Sequence, residues 1–249
     1  MEQADVRKQA RALIDELLKY SCAQIFDIAP TEQKLKQLQQ DQPDFIEPLI
    51  GLMLAAIMQG NLLMALRLSE RIWQMGGNLS LFFELLYADC LLNIGEISRA
   101  EILLSDRLSN IGPNLDIFYM VMVKYALLTG KISLLVQIGD YPNMYEQERV
   151  LFDFAQAHAF NSSTKDFQAI MSILRDNLKN LMCAVEYVMY PDGLELVFYT
   201  NAATEQNKAL TSQITEKING YFLSVQKPPF RDFYFKILNI KLHDVWMGR

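Results

Sequence analysis

The sequence predicts a mainly α-helical chain, an α-solenoid of helical hairpins followed by a small α+β unit of order β-β-α-β. Two observations carry that expectation. Three glycines, Gly60, Gly95 and Gly130, recur every 35 residues inside matching apolar patterns. Near residue 183 the apolar period then changes from helical to alternating. Of the 249 residues 51% are hydrophobic and 21% charged, which supplies a sizeable core and argues against disorder.

The surroundings of the three glycines match position by position. Ile57, Leu92 and Leu127 stand three residues before them, and Leu62, Ile97 and Ile132 two after. Ala65, Ala100 and Leu135 follow at five, and Leu68, Leu103 and Ile138 at eight. Apolar residues at spacings of three and four before each glycine give one amphipathic helix. Glycine ends it, because it takes the left-handed cap conformation without strain. A second amphipathic helix follows, and its small residue allows close approach. One such pair cannot bury its apolar face alone, so neighbours must stack.

The segments IMQGNLLMALRLSE, LNIGEISRAEILLSD and LLTGKISLLVQIGD resemble tetratricopeptide repeats, over roughly residues 45–142. In that family a helix closes on Gly and a small Ala follows five residues later. A weaker fourth unit over Tyr145–Lys179 places Ala157 and Ala169 at the two small positions and Thr164 where Gly belongs. The repeats are degenerate. Met53, Ala88 and Val123 occupy a position where the family prefers small residues, and Leu135 replaces Ala. The second helix of the third repeat is stopped early by Gly139, Asp140 and Pro142.

The resemblance implies a helical-repeat domain over 45–182, whose first helices line a concave groove for a protein or peptide partner. That groove would be formed by Ile50, Leu54, Ile57, Phe82, Leu85, Asp89, Leu92, Ile117, Met120, Lys124 and Leu127. It is mainly apolar, with Asp89 and Lys124 as isolated charges. Lys124 and Asn93 fall short of the Lys, Arg and Asn clamp with which some members hold a C-terminal carboxylate. Such a wall suits an extended or helical apolar segment, unless the N-terminal helix, the fourth pair or the C-terminal unit fills it.

Residues 1–44 read as N-terminal helices, a cap or a degenerate repeat. One runs from Glu2 to about Ala23. The other runs from about Glu32 to Gln40, with Thr31 as N-cap and Asp41-Gln42-Pro43 as its end. Residues 183–249 read as the small α+β domain. Strands Ala184–Tyr190 and Leu194–Thr200 flank a Pro191-Asp192-Gly193 turn. A helix over Ala203–Ser224, a Pro228-Pro229 loop and a strand over Phe233–Leu242 follow.

A net charge of −6 and a pI near 5.0 lack the basic footprint that nucleic acid demands. No apolar run reaches the ~18 residues of a membrane span, and no secretory leader pattern is present. Cys22, Cys90 and Cys183 are widely spaced and fit reduced thiols. The expectation is a cytoplasmic protein without membrane insertion.

Sequence chemistry is sparse. His158 and His243 have no partner at metal-ligand spacing, and HExxH, CxxC, P-loop, GxGxxG and GxSxG patterns are missing. No catalytic residue, cofactor or metal is therefore expected. His158 reads as a satisfied core or rim histidine, and Cys90 and Cys183 as small buried hydrophobes. The methionines read as core filler, with adaptable groove lining as the alternative. Asp15 with Glu16, and Glu146 with Glu148, read as helix-surface acids. Glu186 and Glu195 sit on the hairpin, where they could oppose one another, although solvated edge charges are the default. The string Lys227-Pro228-Pro229-Phe230-Arg231-Asp232 reads as a crossover loop.

The function that follows is protein interaction: a scaffold, adaptor or chaperone-like binder of an apolar partner segment. One alternative is a structural subunit of a larger multiprotein assembly or oligomer. Another is an enzyme of unknown class with its site in the C-terminal unit, where Tyr187, Tyr199, Glu186, Glu195 and His243 are the only reactive set.

Overall fold

The computed structural model describes residues 3–20, 28–108, 116–138, 146–159, 163–190 and 193–239. The described residues are mainly helical. Helices α1 (Gln3–Tyr20) and α2 (Ala29–Asp41) come first. Three hairpins follow: α3 (Glu47–Met58) with α4 (Leu62–Met75), α5 (Leu81–Asn93) with α6 (Ile97–Leu108), and α7 (Asp116–Thr129) with α8 (Ile132–Ile138). A fourth pair is α9 (Glu146–Ala159) and α10 (Ser163–Leu178). The C-terminal unit is β1 (Met182–Tyr190), β2 (Gly193–Thr200), α11 (Thr204–Ser224) and β3 (Phe233–Asn239).

All three hairpins turn on one cap. Gly60, Gly95 and Gly130 have φ of 66°, 80° and 71°. Their N–H groups donate to the carbonyls of Ile57, Leu92 and Leu127. The next N–H groups, of Asn61, Glu96 and Lys131, reach back to Ala56, Leu91 and Ala126. This double bond pattern satisfies carbonyls that a helix end otherwise leaves open. Asn61 then caps α4, its side chain accepting from the Met64 N–H at 3.2 Å.

Each hairpin packs internally, and the first helices also pack in order, α1 on α3, α3 on α5 and α5 on α7. The equivalent residues Ala55, Cys90 and Tyr125 are fully buried, as are Ala65 and Ala100. Gly51 lets α1, α2 and α3 close together, since a Cβ there would lie 2.9 Å from Leu35 and 3.1 Å from Ile14. The fourth pair joins differently, with α9 on α8 and α10 on α7.

Thr31 is not the N-cap of α2. The helix begins at Ala29 with Pro30 in its first turn, where proline's fixed φ suits the helix and its missing N–H costs nothing. Thr31 is buried inside that turn and donates to Glu16 at 3.2 Å. Helix α1 is tied down by Arg7, 2.6 Å from Glu47, and by Arg11 stacked 3.1 Å above the Phe82 ring centroid. The expected helix end near Ala23 and strand end at Leu242 lie outside the described residues.

The sheet has the order β1-β2-β3. β1 and β2 are antiparallel, while β2 and β3 are parallel. A parallel return requires a crossover, which α11 provides. β2 is buried along its whole length. β1 packs on α5, and α9 packs on both β1 and β2, so the sheet lies against the helices. No helix among the described residues is long and apolar enough to cross a membrane.

The glycine caps can be tested by urea unfolding. Gly95→Ala adds left-handed strain, about 1–2 kcal/mol, with its new methyl 3.5 Å from Met182. Gly130→Ala also drives a methyl to 2.7 Å from the Gln168 Cα, so its loss should be larger, about 2–4 kcal/mol. Equal losses would contradict this assignment.

Candidate functional site

Most residues expected to line the groove are core residues. Ile50, Leu54, Ile57, Leu85, Leu92 and Leu127 are at most 2% exposed. Phe82, Asp89 and Lys124 are half-buried, and Met120 is 59% exposed. The Ile117 side chain lies outside the described residues. Neighbouring helices and the C-terminal sheet account for the burial. At the junction the Val185 N–H of β1 donates to Asn93 Oδ1 at 3.3 Å.

Asp89 and Lys124 are not isolated charges. Lys124 Nζ lies 2.6 Å from Asp89 Oδ1 and donates to Asn93 Oδ1 at 3.1 Å. Asn93 in turn donates to Asp89 at 3.0 Å. The pairing follows from the repeat. Each charge stands six residues before its glycine, so adjacent first helices set the two side by side, 35 residues apart. Asn93 is buried and joins this charge pair to β1.

Glu186 faces the same junction. Burial pushes its carboxyl above the usual range, against the Tyr199 hydroxyl donating at 3.0 Å and the positive charge of Lys124. Burial raises Tyr199 too, and the Glu186 charge adds to it. Cys90 on α5 is buried, and burial holds its thiol well above the ordinary range, which disfavours the nucleophilic thiolate. Nearly every polar group here already has a protein partner, an arrangement that fixes the sheet on the helices.

Of the reactive set expected in the C-terminal unit, the structure joins Glu186 and Tyr199 through their hydrogen bond, while the other described members have different partners. Glu186 pairs with Val197 and Glu195 with Val188, so the two acids do not oppose one another. Tyr190 pairs with Gly193, and the expected turn residues Pro191 and Asp192 between them lie outside the described residues. Glu195 is held separately by Lys236 at 2.9 Å and the Tyr190 hydroxyl at 3.2 Å. Tyr187 pairs with Leu196, which by strand alternation places it on the face opposite Tyr199. His243 lies outside the described residues. Elsewhere Asp15 pairs with Arg11 at 2.9 Å, and the side chains of Glu146 and Glu148 are outside the described set.

His158 has partners that sequence spacing did not reveal. Its Nε2 is 2.6 Å from Asp232 Oδ2, and its ring lies 4.7 Å from Phe154 and 5.3 Å from Phe230. At the other end of the same loop Lys227 reaches Asp166 at 2.7 Å. Burial works against the Asp166 charge, but hydrogen bonds from Lys227 and Tyr221 outweigh it and hold the carboxyl below its ordinary range. The crossover loop is thus clamped at both ends onto the fourth helical pair. Among the described residues no group of three His, Cys, Asp or Glu could hold a metal ion. No family model matches the chain, and no curated protein or solved structure matches it.

Two measurements test the junction. The folded-state pKa of Glu186 is raised, so its contribution to stability is present below the unfolded value and is lost as pH rises through the folded one. Glu186→Gln should therefore gain stability relative to the parent as pH rises above about 4; a difference that stays constant with pH would refute it. A double-mutant cycle of Asp89→Asn and Lys124→Met should give a coupling of about 1–2 kcal/mol, against near zero for an exposed pair.

Proposed function

We propose that this chain is a protein-interaction scaffold of the tetratricopeptide-like α-solenoid type, acting as a cytoplasmic adaptor or chaperone-like binder. Its contact surface is the part of the inner helical face that the C-terminal unit leaves open. The repeated cap and the ordered packing of α1, α3, α5 and α7 support the architecture. One comparison carries the surface. Ile50, Leu85 and Met120 occupy the same position in consecutive repeats, ten residues before the glycine. The first two are 0% exposed and Met120 is 59% exposed. A core position thus faces outward in the third unit, beside the half-buried Lys124 and Asp89.

An apolar partner segment laid over Met120 would extend the burial that the first two repeats obtain internally. Such burial contributes roughly 25 cal/mol per Å2 of apolar area before ordering costs. Methionine suits this role because its unbranched, polarisable side chain adapts to different partners. The second reading is a structural subunit of a larger assembly. It is favoured by Leu63 and Ile102, exposed on the second helices of consecutive hairpins, and by Leu223, exposed on α11. Sedimentation of the purified chain separates the two, since a subunit removed from its assembly self-associates.

The direct test selects peptides from a random library on the full chain and measures their affinity by fluorescence anisotropy. Met120→Asp lies on an exposed position and should leave folding intact while weakening the selected peptides at least about tenfold. Unchanged affinities would remove this surface. Phe82→Asp is a poorer probe, because Phe82 also carries Arg11 of α1.

A further inference from the structure

A cleft of about 470 Å3 lies between the start of α6, the α7–α8 turn and the last turn of α10. Its size is that of a small-ligand pocket. Its polar lining includes Ser98, Glu101, Lys131, Arg175, Asp176 and Lys179.

The charges in this cleft divide into two groups. Glu101 and Lys131 satisfy each other at 2.6 Å, and the Tyr125 hydroxyl also donates to Glu101 at 2.7 Å. Arg175 and Lys179 remain, opposed by Asp176. They stand four residues apart on α10, hence on one helix face. Arg175 is half-buried. Glu101 feels its charge, yet its guanidinium makes no hydrogen bond or ion pair with any described residue. The same holds for Lys179 and for the hydroxyl of Ser98. A guanidinium withdrawn from water without an acceptor is unfavourable, and a bound oxyanion relieves it with paired, charge-assisted bonds. The surplus of positive charge here stands out in a chain of net charge −6.

We propose that this cleft binds a phosphate group, carried either by a small molecule or by a phosphorylated residue of a protein partner. Arg175 supplies the planar fork, Lys179 a point charge and Ser98 a neutral donor. That combination of donors suits an anion with three terminal oxygens better than a planar carboxylate. The site is separate from the Met120 surface and does not depend on it.

The test uses the full chain, titrated with inorganic phosphate at constant ionic strength set with chloride. It is read by thermal unfolding and phosphorus NMR line width. A second arm measures a labelled phosphoserine peptide against its unphosphorylated form. A saturable response in either arm is expected, and the stronger arm identifies the source of the phosphate. Arg175→Ala and the exposed Lys179→Ala should each weaken it at least about tenfold, whereas Lys208→Ala on α11 should not. The proposal is overturned if chloride reproduces the phosphate response with the phosphopeptide binding no better than its control. It is equally overturned if both cleft variants respond as the parent does.

Discussion

The left-handed glycine that closes the first helix of each hairpin is the constraint on which the helical architecture depends. Its conformation allows two backcurling hydrogen bonds and sends the chain into the second helix at a fixed angle. Because the geometry repeats, the second helix returns in the same way at Gly60, Gly95 and Gly130. The first helices then lie beside one another with equivalent residues in register. Burial of Ala55, Cys90 and Tyr125 is one result. The meeting of Asp89 with Lys124 is another, since neither residue contains information about its partner except through the period.

The C-terminal sheet completes the core that the hairpins begin. Helix pairs with one apolar side need a neighbour there, and β1 supplies it along α5. The contact is not purely apolar. Asn93, Asp89, Lys124, Glu186 and Tyr199 meet at the junction, and their hydrogen bonds offset the cost of removing them from water. Directional bonds of this kind fix the register of sheet on helix, which greasy contact alone leaves free to slide. The second attachment, through Lys227 and Asp232 on the fourth helical pair, holds the far end of the unit. Phe230 sits between those two ionic contacts, 5.3 Å from His158 and 5.6 Å from Phe222.

Features governed by local backbone chemistry were legible in the sequence. The three caps, the antiparallel pair β1 and β2, the helix after Ala203 and the start of β3 all follow from glycine, turn residues and hydrophobic period. Local rules failed where two of them competed. Thr31 offered a cap, but Pro30 pre-organised the turn before it and drew the threonine inside. Contacts between distant segments were legible only where periodicity links them. The Asp89–Lys124 spacing equals the repeat, so the pair could have been found. His158 and Asp232 are 74 residues apart and share no motif, so only the packing of the crossover loop on α9 joins them. The burial of most expected groove residues was open in the sequence as one of two alternatives, because no local pattern says which surface a later segment will cover.

The amide carboxamide of Asn93 has a further consequence. β1 is an outer strand, and outer strands carry unpaired backbone donors that can recruit a foreign strand and seed fibrils. The outward N–H of Val185 is occupied by Asn93, and α5 lies alongside. α5 precedes β1 in the chain, so the helix that covers this margin is synthesised first. In the folded chain, Asn93 and α5 together close part of an edge that a foreign strand could otherwise extend.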